Sequence, residues 1–488
     1  MSCIIAEAGK MSMLDWSIVG IGALLLFVIS YIFGREEKDT DDFFLGGRRV
    51  PPAVACLSFV ATEISALTIV GMPHTAYIEN WRWIQFLVGL ALARLVVGYL
   101  FIPAFYKYNC TSIYEFLGHR FGPATQYTGS IYFFITRLLA SGVRLYATCM
   151  AVGVIMGWSL AATITLFTLV SIAFIAFGGI KAVVWAGAYQ ATFFVVAGVV
   201  VVGYLVAHID GGWAAAMQMA HETGHLSTFN FKFDLKDAST FWAYLASGFF
   251  IGLASFGTDQ EMVQRLLTVE TRKSSQRTIL ATIITVLPVY WLYLLVGTLL
   301  FVFYRQNPSL TLPSELKEIV PHFARNVLPA GLKGLVLGAI VMASIDSPLS
   351  SLSSSFVTDI YRPLIRRRAS ERHYLLVSRA CVVGFGLILA GIAVACAPVE
   401  NILWFAFQIL SVTGGPMLGV FLLGLLTRQR ANYANIAAML VSTAVCLVLL
   451  LLIKWEKLDL GWSWLIVTGT GITFIISVTI RRITAFNK

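Results

Sequence analysis

Charge is scarce in this sequence. Only 12% of its 488 residues are Asp, Glu, Lys or Arg, about half the share of a soluble domain. With 58% hydrophobic residues and a mean hydropathy of +0.80, too little polar surface exists to cover a water-soluble fold. Soluble enzymes, disordered chains and nucleic-acid binders are therefore excluded. Cysteine is sparse as well. The seven (Cys3, Cys56, Cys110, Cys149, Cys381, Cys396, Cys446) are scattered, mostly in apolar segments, with no CxxC and no metal-ligand spacing, which argues against a disulfide frame or a structural metal. HExxH, GxSxG and paired catalytic aspartates are missing, so no catalytic residue is assigned and an enzyme is not expected. A basic leader with a cleavage site is also missing at the start, so the first apolar segment is read as a retained span, with Met11 or Met13 as a candidate native start.

What the chain does hold is long apolar runs, such as residues 18–33. They exclude a β-barrel, whose strands alternate polar and apolar residues over about ten positions. At about 20 apolar residues per span, the length allows about a dozen helices. Runs bounded by charge, Pro or Gly give thirteen: 17–34, 52–76, 83–106, 127–158, 161–177, 183–207, 241–263, 278–304, 332–360, 374–397, 402–426, 433–453 and 462–480. The net charge of +10 tests this count, because alternate connections hold 21 and 10 of the 35 Lys and Arg residues. By the positive-inside rule the richer set is cytoplasmic, which puts the N-terminus outside and the C-terminus inside a plasma membrane. The bilayer is then the partner that the charge implies, and neither nucleic acid nor an obligate protein partner is called for.

The basic residues Arg94, Arg137, Arg144 and Arg379 lie within spans, and with them the buried carboxylates Glu63 and Asp346. Arg379 is near a helix end, where it can snorkel. The others would each cost a few kcal/mol or more against lipid and should face protein or water. The second span interrupts itself with Ser58, Thr62, Glu63, Ser65 and Thr68, then Gly71 and Pro73; the seventh does so at Gly248, Gly252 and the run 254–260. A broken helix offers free carbonyls to a cation and a dipole end to an anion, and matched broken helices point to a transporter binding site.

These features resemble the sodium/solute symporter family. The resemblance is carried by Asp42 with Leu45, Gly46, Gly47, Arg48 and Arg49, by the segment 61–72, and by the turn from Gly179 through Lys181 to Trp185. It continues through Thr258, Asp259, Gln260, Val263, Gln264 and Arg265, and closes on the Ser-rich ninth span with Thr358, Asp359, Ile360 and Tyr361. It covers most of the chain in order. It implies an all-α membrane protein with a LeuT-type five-plus-five inverted-repeat core, one extra N-terminal and two extra C-terminal helices. The domain plan is 1–50 for the extra helix and its loop, 51–207 for the first repeat, 208–240 for an extracytoplasmic loop, 241–426 for the second repeat and 427–488 for the last two helices. The implied function is sodium-driven uptake of a small polar solute, a carboxylate or sugar type among the candidates, with Na+ as the only cofactor.

By the same resemblance, sodium is held by the carbonyls of Ala61, Ile64 and Ile340 and the hydroxyl of Ser344, an all-oxygen shell suited to a hard cation. Many members have a serine where this chain has Ala343, which leaves a carbonyl or water to fill that place. Pro348 cannot donate to the Ser344 carbonyl and leaves it free. Positions 61, 64, 65 and 68 share a helical face, so Ser65 and Thr68 turn to the substrate cavity, with Gln85, Phe405 and Gln408 as weaker candidates. Glu63 is about 200° from Ala61 at 100° per residue and is read as paired with an intramembrane arginine rather than as a proton site. Arg137, Ser141 and Arg144 form a stripe. Its arginines either take a substrate carboxylate or neutralise the scaffold. Sialic-acid-transporting relatives carry an arginine at the position matching Ala140, so that solute does not carry over unless Arg144, one turn on, substitutes. A second-site aspartate of some relatives falls on Ala186, whereas Asp346 and Ser347 replace two of their serines; these two form a candidate relocated cation site for sodium or a proton. A proton-coupled symporter, a channel and a solute sensor are the alternatives; the chain shows no selectivity-filter sequence, and a sensor would carry an added output domain.

Overall fold

A computed structural model describes residues 11–34, 40–175, 180–343, 348–428 and 432–486. Among them every regular element is helical, as a chain that must satisfy its own backbone in lipid requires. Among the described residues nine helices are long and apolar enough to cross a membrane, and two bent pairs raise this to eleven. The pairs are Pro52–Glu63 with Leu67–Ile78, bent by 55°, and Phe241–Gly257 with Gln260–Leu267, bent by 60°. All thirteen apolar segments carry helix, yet length and composition support nine to eleven spans. Leu160–Ala173 and Leu332–Met342 are short, and the ninth segment is divided around 344–347, which lie outside the described residues.

Side chains start many of these helices. Thr240, Thr271 and Asn401 accept hydrogen bonds from the backbone N–H groups of Ala243, Ser274 and Trp404 at 3.4, 3.1 and 3.2 Å, each satisfying a donor that the first turn cannot. Pro52 and Pro123 occupy first turns, where no N–H is needed. The N-terminal helix Met13–Gly34 is held by Asp15, whose Oδ1 accepts from the N–H groups of Gly331 and Gly334, both at 2.7 Å. This carboxylate sits on the positive end of the helix Leu332–Met342.

Helices Trp83–Val96 and Phe241–Gly257 pack backbone to backbone. A Cβ at Gly89 would stand 2.5 Å from the Leu245 carbonyl oxygen, and one at Gly248 would stand 2.3 Å from that of Phe86. Gly248 and Gly252, read from sequence as interruptions, are contact residues of a small-residue interface, and the helix runs through both. The break comes after Gly257, where Asp259 is extended and its carboxylate accepts from the Glu261 N–H at 2.9 Å.

Candidate functional site

The first broken helix sets the site. Its last ladder bond runs from the Ile64 N–H to the Val60 carbonyl at 2.8 Å, and Ile64 is extended (φ −86°, ψ 101°). Carbonyls after Val60 therefore have no helical donor. Arg144 donates to that of Thr62 at 2.9 Å. Ala61 and Ile64 are buried beside this break. Ile340 is also buried, in the last turn of Leu332–Met342 before the bond from the Ala343 N–H to the Ala339 carbonyl. Ser344, Asp346 and Ser347 lie outside the described residues.

Beside the break is a cavity of about 930 Å³ of atom-free space, part of it open to solvent. Ser65, Thr68, Glu63, Arg137 and Arg144 line it, and so do Trp83, Thr136, Ala140, Ser255, Tyr290 and Phe407. The three other residues proposed for substrate are elsewhere. Gln85 donates to the carbonyls of Arg82 and Ser239 and accepts from the Asn230 N–H, so its amide is spent on the 208–240 connection. From the helix Ile402–Leu426 the cavity takes Leu403, Ala406, Phe407 and Leu410, not Phe405 or Gln408. Phe405 instead lies under the Lys454 ammonium, 5.5 Å from its ring centre. The register is displaced by one or two positions because the cavity-facing positions of this helix carry no polar marker. Trp83 was missed for the same reason. Its buried Nε1 has no hydrogen-bond partner among the described residues.

The buried charges are organised around this cavity. Glu63 pairs with Arg94 and accepts from the Tyr290 hydroxyl at 2.8 Å, while Arg94 also donates to Thr282 at 3.0 Å and lies 4.2 Å from the Phe256 ring centre. Arg137 is neutralised by Asp259 and Glu261, at the break of the second bent pair. Arg144 lines the main cavity and also a second one, of about 500 Å³ of atom-free space, shared with Ser141, Thr168, Ser171 and Ala343. A guanidinium between two cavities can meet an anion from either.

Two of the lining residues, Trp83 and Phe407, belong to an aromatic cluster. Trp83 lies 5.0 Å from Trp404 and 5.4 Å from Phe407, and Phe86 lies 5.3 Å from Phe407. Outside the cavity wall, Lys317 donates to the carbonyls of Ala397 and Val399 at 3.4 and 3.1 Å and pairs with Glu315 at 2.6 Å. Burial opposes this ammonium, but its bonds to Glu315 and Tyr146 more than offset that and raise its pKa.

Residues 43–442 match the profile described as the Sodium:solute symporter family. The sodium/sialic acid symporter NanT of Aliivibrio fischeri is 30% identical over 93% of this chain and 90% of its own length. Sodium-coupled monocarboxylate transporter 1 of Xenopus laevis is 27% identical over 86% of this chain and 68% of its own. A solved Na+-coupled sialic acid symporter, described in a substrate-bound outward-open state with a novel Na+ site, superposes with a TM-score of 0.86 at 26% identity, covering 96% of this chain and 97% of that one. Mhp1, at 12% identity, shares the fold alone, with a TM-score of 0.55 over 91% of this chain and 95% of its own.

Proposed function

The chain belongs to the sodium:solute symporter family, and from that premise we propose that it takes up a small organic carboxylate, of the acidic-sugar or monocarboxylate kind. Sodium-coupled symport through a multi-pass LeuT-type fold, with Na+ as co-ligand, comes with the family. The observation that carries the solute class is Arg144, a guanidinium lining the cavity together with Ser65 and Thr68. It gives the solute carboxylate a bidentate partner, while Trp83, Thr136 and Ser255 supply the surface for the remainder. Ala140 stands where sialic-acid relatives have their arginine, so Arg144 is the substitute, one turn further along.

Sodium binds at the carbonyls of Ala61, Ile64 and Ile340 with Ser344, beside Ala343, and a second cation site at Asp346 and Ser347 is part of the same reading. The repeats are 51–207 and 241–426, with the N-terminus outside the plasma membrane and the C-terminus in the cytoplasm. The test is uptake into proteoliposomes over a panel of sugar acids, short monocarboxylates and neutral sugars, with sodium or choline outside. A sodium-dependent carboxylate signal is expected, with Arg144→Gln raising its KM by about tenfold to a hundredfold, as the loss of a charge-assisted bond of ~1.5–3 kcal/mol implies. Ser344→Ala should weaken sodium dependence. Transport of a neutral sugar in preference to every acid would refute the solute class.

A further inference from the structure

Asp359 is wholly buried near the end of the Ser-rich helix. The Ser112 hydroxyl donates to its Oδ2 at 2.8 Å, and among the described residues its Oδ1 has no formed hydrogen bond, although Ser130 and Gln126 stand close enough to favour the carboxylate. Among the described residues no Lys, Arg or His nitrogen forms an ion pair with it. The groups around it are neutral or acidic: Ser130 and Gln126 from the helix Pro123–Met156, and Glu115, Tyr114 and Cys110 from the connection before it. The nearby cations are engaged elsewhere. Arg137 holds Asp259 and Glu261, Arg48 donates to Asn109, and His373 meets the Tyr361 hydroxyl at 2.8 Å.

The segment that carries Ser112 also grips the second broken helix. Gln260 accepts from the Ile113 N–H at 2.9 Å and donates to the Thr111 carbonyl at 3.1 Å, and the Tyr114 hydroxyl donates to the Thr258 carbonyl at 3.1 Å. One short connection thus joins the break at 258–260 to the far end of the Ser-rich helix, and Asp359 is its anchor on that side. An ionised carboxylate here would be buried without a counter-charge, which costs far more than neutralising it.

We propose that Asp359 is a proton-binding site, occupied while the 111–115 connection is docked and emptied when this face opens to water. The proton sits on Oδ1 as a carboxylic acid and returns to bulk water when opening hydrates the carboxylate. Low pH on this side therefore favours the docked face, and high pH favours opening. With the orientation proposed above, this side is the cytoplasmic one.

Infrared difference spectra of the purified transporter, recorded between acidic and alkaline pH in choline without solute, test the site apart from transport. A carboxylic-acid carbonyl band that disappears on alkalisation, shifts with 13C-labelled aspartate and is absent in Asp359→Asn is expected. In Ser112→Ala, losing the hydroxyl that stabilises the carboxylate should move the band's midpoint to higher pH. With pH varied inside proteoliposomes, solute exchange should change with pH in wild type and be flat in Asp359→Asn. A band unaltered in both variants overturns the proposal. So does a midpoint that moves about tenfold in proton concentration with tenfold sodium, which would make this a sodium site.

Discussion

The pairing of Glu63 with Arg94 gives the sharpest test of how the first broken helix is held. Both side chains are nearly inaccessible, at 8% and 2%. Arg94→Met would leave Glu63 with only the Tyr290 hydroxyl, and removing one partner of a buried pair costs ~3–5 kcal/mol. Glu63→Gln should cost a similar amount, because Arg94 keeps Thr282 and the Phe256 face but loses its counter-charge. Tyr290→Phe removes one bond to a charged acceptor, worth ~1.5–3 kcal/mol, and should fall below both. The double variant Glu63→Leu with Arg94→Met removes both charges together and should recover most of the loss, since an apolar pair of similar volume is often neutral. Reversible unfolding in mixed micelles gives these values on one scale. Single variants within ~0.5 kcal/mol of wild type, or a double variant as damaging as the sum of the singles, would refute the view that this pair anchors the break.

Two further outcomes follow from the packing. Phe407→Ala should alter solute affinity while Phe405→Ala leaves it unchanged, since only Phe407 lines the cavity; equilibrium competition binding distinguishes them, and the reverse order would restore the register read from sequence. Gly248→Ala should cost ~1–3 kcal/mol or more by overpacking, because its new Cβ would meet the Phe86 carbonyl; Gly471→Ala, with nothing within 4 Å, should be near neutral in the same unfolding assay.

Family and fold were legible because their signals are one-dimensional. Apolar runs, the loop charge bias and ordered motifs such as Thr258–Asp259–Gln260 survive without knowledge of contacts. The first break falls between Glu63 and Ser65, two of the polar residues that mark it in the sequence, and not at the Gly and Pro that follow. The chain turns extended at Ile64, while Gly71 and Pro73 both lie in helical turns, Leu67–Gly71 and Met72–Ile78. Glycine marks a break only where backbone freedom is used; at Gly71 the φ is −76°, ordinary helix. Gly248 misled in the same way, since close approach also selects glycine.

The cavity wall was less legible because it is decided by rotation of apolar helices. On the helix Pro123–Met156, polar residues mark the inward stripe, and Arg137 and Arg144 both reach the cavity. On Ile402–Leu426 the wall is made by Leu403, Ala406, Phe407 and Leu410, and neither Gln408 nor Ser411 is in it. Polarity within a span is thus a guide to the cavity where the residue is charged, because lipid excludes a guanidinium by several kcal/mol or more. A single amide is excluded less strongly and can satisfy itself off-site, as Gln85 does with three hydrogen bonds to backbone groups. Charged intramembrane residues locate a site from sequence; amides need their hydrogen-bond partners before they can be assigned to it.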